Sequence, residues 1–329
     1  APPLAESAEG RELTEENAEQ SLLARTQSRH ANGNPFASRS RGLLGVREAA
    51  RKDQKQRFTS LLHHVTPELL RASFFQLKKQ AAPGVDGETW RDYAADLARR
   101  IDDLAGRIHR GAYRAKPSKR TYIPKADGQL RPLGVAALED KIVQQAARTV
   151  LECVYEQDFL GFSYGFRPGR SPHRALDALY VGITKRRVNW ILDADIRGFF
   201  DNISHEWLMK FLEHRIADPR LLRLLKKWLR AGVSEDGAWS PTTVGTPQGA
   251  VISPLYANVF LHYVLDLWID DWRKRCATGE VMIVRYADDF VIGFREESDA
   301  RRCLADLKER LAKFGLQLHP EKPRLIEFG

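Results

Sequence analysis

The chain has 329 residues, 43% hydrophobic and 29% charged, with a net charge of +9 and a pI near 9.5. That length supports two packed subdomains around a large core, and the basic balance suits a polyanionic partner. Three scattered cysteines, Cys153, Cys276 and Cys303, exclude a disulfide framework and a zinc site. No apolar run reaches the ~20 residues of a membrane span, and the Glu-rich amino end has no secretory core. The expectation is a soluble cytoplasmic protein.

Residues 1–35 are polar, with six Glu between Glu6 and Glu19. They end in the turn cluster Asn32-Gly33-Asn34-Pro35 and read as an extension, partly disordered or helical over about residues 12–28. A basic region follows at 36–135. Residues 36–131 carry 21 Lys or Arg against 10 Asp or Glu, as a subdomain that grips nucleic acid would. Individual arginines there fit a solvated helix face equally well: Arg99, Arg100, Arg107 and Arg110 lie at helical spacing beside Asp96, Asp102 and Asp103. Helices are predicted over 47–80 and 88–110 around the Pro83-Gly84 break, then a hairpin over 119–134 with Asp127-Gly128 at its turn. The remaining residues, 136–329, mix helices and strands, with a core at 188–329. Helices are predicted at Leu138–Val154, Arg174–Arg186, a pair over His205–Leu229 broken near Pro219, Pro254–Arg275 and Ser298–Phe314. Strands are predicted at Trp190–Ile196, on either side of Tyr286-Ala287-Asp288-Asp289, and at Arg324–Phe328. Strands and helices mix without strict alternation, so the expected class is α+β, with a split βαβ sheet.

The chemistry is concentrated in Tyr286-Ala287-Asp288-Asp289. Two adjacent carboxylates sit between the apolar runs Val281-Met282-Ile283-Val284-Arg285 and Phe290-Val291-Ile292-Gly293-Phe294, which read as a β-hairpin with the acids at its tip. Asp also favours turns for its own reasons, so the pair alone leaves metal binding and a plain turn open. A third carboxylate shifts the balance. The strand Trp190 to Ile196 delivers Asp195 just before Gly198-Phe199-Phe200. Phosphoryl transfer by two metals needs carboxylates from separate strands, with ions about 3.5–4 Å apart, and hard Mg²⁺ prefers such oxygen donors. Asp193 and Asp201 are alternative ligands. Asp201 reads better as a helix-start residue with Asn202 and Ser204, and Asp193 lies further from the tip.

The ordered series Gly84-Val85-Asp86-Gly87, Ile123-Pro124-Lys125, Arg131-Pro132-Leu133-Gly134, Gly165-Phe166-Arg167-Pro168, Asp195 to Asp201, Gly245-Thr246-Pro247-Gln248-Gly249, Ser253-Pro254-Leu255 and the hairpin resembles bacterial group II intron reverse transcriptases (maturases) over about residues 36–329. The resemblance implies the fingers and palm of a right-hand polymerase, the palm being a ferredoxin-like antiparallel sheet backed by helices. It implies RNA-directed DNA synthesis with two Mg²⁺ (Mn²⁺ as a substitute), acting on an intron RNA or other RNA template, a DNA primer or target and dNTPs in retrohoming, together with a maturase role in splicing. Asp195, Asp288 and Asp289 become the catalytic set, with the Ile196 main chain as a further metal ligand. Lys125 and Arg131 face the triphosphate, Phe200 lies beneath the sugar and excludes a ribose 2′-OH, and Gln248 lies against the nucleotide or primer end. Tyr286, Ala287 and Lys322 line the nucleotide and primer site. Lys119, Arg120 and Arg167 are candidate template contacts.

Two departures stand out. Pro323 follows Lys322 where the family usually has Thr, and the chain stops at Gly329, where the palm of the resemblance ends and a helical thumb would follow, so a thumb is expected to be absent. Relatives recruited to phage defence or CRISPR spacer acquisition share these motifs. A non-catalytic RNA-binding splicing factor would not need Asp195, Asp288 and Asp289 together, and a nucleotide cyclase would need a Gly-Gly hairpin that is absent.

Overall fold

The computed structural model describes residues 41–124, 128, 130–320 and 323–328. The helix expected over 12–28, and Lys125 and Lys322, lie outside these residues. The described residues open with helices α1 (Arg41–Lys52), α2 (Pro67–Gln76), α3 (Trp90–Ala94) and α4 (Leu97–His109), with a 3₁₀ turn at Leu62–His64. The single helix expected over 47–80 is therefore divided. Thr66 stops it by capping α2, accepting a hydrogen bond from the Leu69 N–H, with Pro67 as the first helical residue, a position that tolerates its missing donor.

Strands β1 (Ser118–Pro124) and β2 (Leu130–Val135) form the expected hairpin. Helices α5 (Leu138–Tyr155) and α6 (Pro172–Lys185) follow, then β3 (Trp190–Asp195), the short α7 (Phe199–Asn202), α8 (His205–Glu213) and α9 (Pro219–Leu229). Strands β4 (Val233–Glu235) and β5 (Ala238–Ser240) form a hairpin not anticipated from the sequence, and β4 adds in parallel to β1, giving the sheet order β2-β1-β4-β5. Residues 253–275, expected as one helix, contain a wider π turn at His262–Asp266 between α10 (Ser253–Leu261) and α11 (Leu267–Arg275). Strands β6 (Val281–Tyr286) and β7 (Asp289–Phe294), α12 (Glu297–Ala312) and β8 (Arg324–Glu327) are the last of the described elements.

The second sheet has the order β6-β7-β3-β8, antiparallel at every pairing. In chain order its strands are β3, β6, β7 and β8, and α12 links the last two, which gives the ferredoxin-like split βαβ arrangement. The spine of the molecule is α5, buried along most of its length and packed against α1, α2 and α10. Its residues join the palm strands in one continuous hydrophobic core. Among the described residues no helix is long and apolar enough to cross a membrane, and Cys153, Cys276 and Cys303 are free thiols.

One buried carboxylate ties the 3₁₀ turn at Leu62–His64 to α9. Asp218 Oδ2 accepts the Leu61 and Leu62 N–H groups at 2.8 Å each, and Oδ1 accepts those of Arg220 and Leu221 at 2.9 and 3.2 Å. Burial raises the Asp218 pKa, but the four N–H donors outweigh it and hold the carboxyl below its usual range. Because its folded pKa lies below the unfolded one, this group stabilises the fold above the unfolded value near ~4 and ceases to do so as the pH falls further. Asp218→Ala is expected to cost about 2–3 kcal/mol in denaturant unfolding at pH 7, and less at pH 3; an equal cost at both pH values would refute this reading.

Candidate active site

Cross-strand register assembles the site. In the β6–β7 hairpin Tyr286 pairs with Asp289, which leaves Ala287 and Asp288 as a two-residue turn. Asp289 also pairs with Asp195 of β3. Residues directly opposite in antiparallel strands have Cβ atoms about 4.5–5.5 Å apart, and two like charges so placed repel. Asp288, next along the turn, adds a third acid at the same sheet end. Asp193 pairs with Val291, two positions back from the tip, so it lies outside this group. Asp201 falls in the first turn of α7, as its sequence context suggested.

The tip of β3 is fixed from outside the hairpin. The His319 N–H donates to the Asp195 main-chain oxygen at 2.8 Å, and the Arg197 N–H to that of Gln317 at 2.9 Å. Ile196 is buried and bridges Leu318. Among the described residues no three His, Cys, Asp or Glu side chains are placed to hold a metal ion by themselves. The donor set nevertheless fits a hard cation of the Mg²⁺ kind, which takes one or two carboxylates and completes its shell with water and substrate phosphates.

The turn is strained and clamped. Ala287 has φ of 58°, a left-handed conformation that costs a residue with a Cβ about 1–2 kcal/mol. It is buried at 6% exposure, and a side chain on Gly165 would have its Cβ 2.2 Å from the Ala287 nitrogen. Only glycine permits that approach. Immediately before the hairpin motif, Arg285 is fully buried and uses all five of its N–H donors. Nε and Nη2 grip the two Asp266 oxygens at 2.7 and 2.6 Å, Nη2 also reaches Ser163 Oγ at 2.7 Å, and Nη1 reaches the Ala287 carbonyl at 2.8 Å and Asn258 Oδ1 at 3.2 Å. Asn258 turns its Nδ2 onto the Gly165 carbonyl at 2.8 Å. One guanidinium thus joins the turn, its abutting glycine and the helix behind it. Asp266 ends the π turn, and such turns recur at functional sites. Next to this pair, burial lowers the His262 pKa to about 4, so the imidazole adds no charge at neutral pH.

The Pro-Gln-Gly loop is sewn to both neighbours. The Thr246 N–H donates to the Phe200 carbonyl at 2.8 Å and the Gly134 N–H to the Gln248 carbonyl at 2.7 Å. Gly245, with φ of 84°, packs against the Phe200 and Asp201 carbonyls. Phe200 and Gln248 are therefore held in a common frame with the first sheet, and Arg131 lies exposed on β2 three residues before Gly134. Tyr286 is half-buried, and burial raises its pKa. Lys119 is exposed and Arg120 half-buried on β1. Arg167 is 6% exposed, bonded to Glu156 at 3.0 Å and to the Leu160 and Ser163 carbonyls at 2.8 Å each. The template contact suggested for it gives way to an anchoring role, because its guanidinium is spent inside the protein.

Sequence reading missed Arg285, Asp266, Asn258 and Ser163, the residues that clamp the turn. A signal existed for two of them: an arginine at the end of an apolar strand run and an aspartate inside an apolar helix are opposite charges that each need a buried partner.

Fold and site together define the palm of a template-directed nucleotidyl-transferring polymerase. Residues 123–327 match the family model described as Reverse transcriptase (RNA-dependent DNA polymerase). The chain is 36% identical over 275 residues to Protein YkfC of Escherichia coli (strain K12), covering 74% of this chain and 72% of that protein. It is 32% identical over 225 residues to the Group II intron-encoded protein LtrA of Lactococcus lactis subsp. cremoris, covering 67% of this chain and 37% of LtrA. Among solved structures, a chain of a partial Cas6-RT-Cas1–Cas2 complex aligns over 78% of this chain and 42% of its own, at a TM-score of 0.43 and 22% identity, too distant to bear on function. The chain belongs to the reverse transcriptase family, in its group II intron type, and is an RNA-directed DNA polymerase by class.

Two outcomes are expected. Arg285→Met strands the Asp266 carboxylate and should cost about 3–5 kcal/mol in denaturant unfolding, whereas Arg285→Lys keeps the charge but cannot supply five donors. Gly165→Ala should displace the turn and lower kcat about 100-fold with a small change in Tm; wild-type kcat in that variant would show that the turn geometry is not limiting.

Proposed function

We propose that this chain is the fingers and palm of a group II intron-type reverse transcriptase that copies RNA into DNA during retrohoming and binds its intron RNA to assist splicing. The observation that carries the reading is the register that sets Asp195 opposite Asp289, with Asp288 in the adjoining turn. The organisation proposed with it is a basic fingers region at 36–135 and a mixed fingers and palm region at 136–329. The partners are an RNA template, a DNA primer and dNTPs.

Asp195, Asp288 and Asp289, with the Ile196 main chain, would hold two divalent cations, Mg²⁺ by the chemistry of the donors. Bound there, the cations supply a lowered pKa at the primer 3′-OH and charge neutralisation on the leaving pyrophosphate. This chain's own residues do the rest. The hairpin and β3 fix the carboxylates on two strands, so the reacting oxygens are aligned without reorganisation. Arg131, together with Lys125 six positions earlier in the sequence, would set positive charge opposite the β and γ phosphates. Phe200, held through its carbonyl by Thr246, excludes a ribose 2′-OH from beneath the sugar. Gln248 lies against the nucleotide or primer end, with Tyr286, Ala287 and Lys322 completing its surroundings. Lys119 and Arg120 provide backbone contacts for the template.

The test is primer extension on an RNA template with a DNA primer and Mg²⁺, comparing dNTPs with NTPs. Synthesis with dNTPs should fall to background in Asp288→Ala, while RNA affinity stays within about threefold, since one acidic side chain contributes no phosphate contact. Synthesis retained by the variant would overturn the assignment.

A further inference from the structure

Among the described residues, Phe166 joins an exposed aromatic ring to a left-handed backbone. It has φ of 61°, the left-handed region that bulky side chains rarely adopt, and it leaves 41% of its surface exposed. Both flanking residues explain why it cannot relax. On one side, Gly165 is buried against the Ala287 turn, with its carbonyl held by Asn258. On the other, Arg167 is buried in its pair with Glu156 and its bonds to the Leu160 and Ser163 carbonyls. The Phe166 carbonyl is itself held by Arg148 Nη2 at 3.3 Å. The chain enters and leaves at fixed points, and the residue between them is turned outward.

The ring it displays is not isolated. Its centroid lies 6.5 Å from that of Phe200 with an interplanar angle of 73°, an edge-to-face contact, and Phe200 in turn meets the buried Phe199 at 5.4 Å. The aromatic series therefore runs outward from the core, through the residue assigned to the sugar, to Phe166. Its outer member sits one residue from the glycine that abuts the carboxylate turn. A strained, exposed aromatic beside a reaction centre points to a ligand contact, because the fold gains nothing from the ring's exposed area and strain of this kind collects at such sites.

We propose that Phe166 is a second aromatic wall of the nucleotide subsite, packing edge-on against Phe200 and closing the sugar side of the incoming deoxynucleotide. This rests on the polymerase reading and adds to it a residue that sets affinity and sugar selection. Phe166 gives Phe200 a second ring contact beside that of Phe199, and so restricts its tilting away from a 2′-OH. The contact is with the bound nucleotide and leaves the chemical step untouched.

The experiment compares wild type with Phe166→Ala, Phe166→Gly and Phe166→Tyr in two measurements. The first is equilibrium binding of fluorescent mant-dGTP to protein carrying an RNA template and a chain-terminated DNA primer, which needs no turnover. The second is steady-state extension with dNTPs and with NTPs. The Ala and Gly variants should bind mant-dGTP about tenfold more weakly, show dNTP KM raised by a similar factor at near wild-type kcat, and lose several-fold in dNTP preference over NTPs. Phe166→Tyr should restore all three. A purely structural role predicts a different pattern: Gly relieves the left-handed strain, so it would behave as well as wild type. Wild-type binding and selectivity in Phe166→Ala and Phe166→Gly would overturn the proposal alone, as would a loss confined to primer–template affinity. Failure of the wild type to bind mant-dGTP would overturn it together with the polymerase reading.

Discussion

The buried pair of Arg285 with Asp266 is the interaction on which the catalytic end of the molecule depends. Both side chains are fully buried, and a charge taken from water is tolerated only when its partner and its remaining hydrogen bonds are all in place. Here they are, since every guanidinium donor has an acceptor. A hydrophobic pair of the same size could fill this volume at no loss of stability. What it could not do is hold the Ala287 carbonyl, and with it the left-handed turn that presents Asp288. The pair is best understood as a positioning device, carrying rigidity from α10 and the π turn to a turn whose own backbone preference runs against its shape.

The same logic recurs around the site. Gly165 approaches the turn as only glycine can, Gly245 approaches the Phe200 carbonyl, and the Gly134 N–H reaches the Gln248 carbonyl. Each close approach brings one backbone against another, so the site is defined by main-chain geometry more than by side-chain choice. The acidic side chains then occupy positions that the sheet has fixed in advance. Two like charges opposed across a sheet repel each other, and Asp195 and Asp289 are so placed at the end of β3 and β7.

Much of this was legible in the sequence. The hairpin, the β3 strand and the α+β class followed from alternating apolar runs and turn residues, because register and side-chain face are local properties. Asp195, Asp288 and Asp289 stood out as acids at the ends of separate strands, and it was the family resemblance that singled them out from Asp193 and Asp201 as the proposed catalytic set. The π turn was not legible: Pro254 to Arg275 is apolar enough to suit an unbroken helix, and the turn ends at Asp266, whose contact with Arg285 joins positions 19 apart. The β4–β5 hairpin was missed because its strands are three residues each and are fixed by pairing to β1. Arg167 was misread because its motif marks it as important without saying whether it faces inward, and its partner Glu156 is visible only in three dimensions.

The central claim is that the carboxylate tip is an incomplete cation site which substrate phosphates finish. Electron paramagnetic resonance titration of Mn²⁺ tests it directly, using the protein alone and then with an RNA template, a terminated DNA primer and dGTP. Weak binding to the protein alone, and two tightly bound ions in the ternary complex that are lost in Asp195→Asn, is the predicted result. The absence of any tightly bound ion in the ternary complex, or equally tight binding without nucleotide, would contradict it.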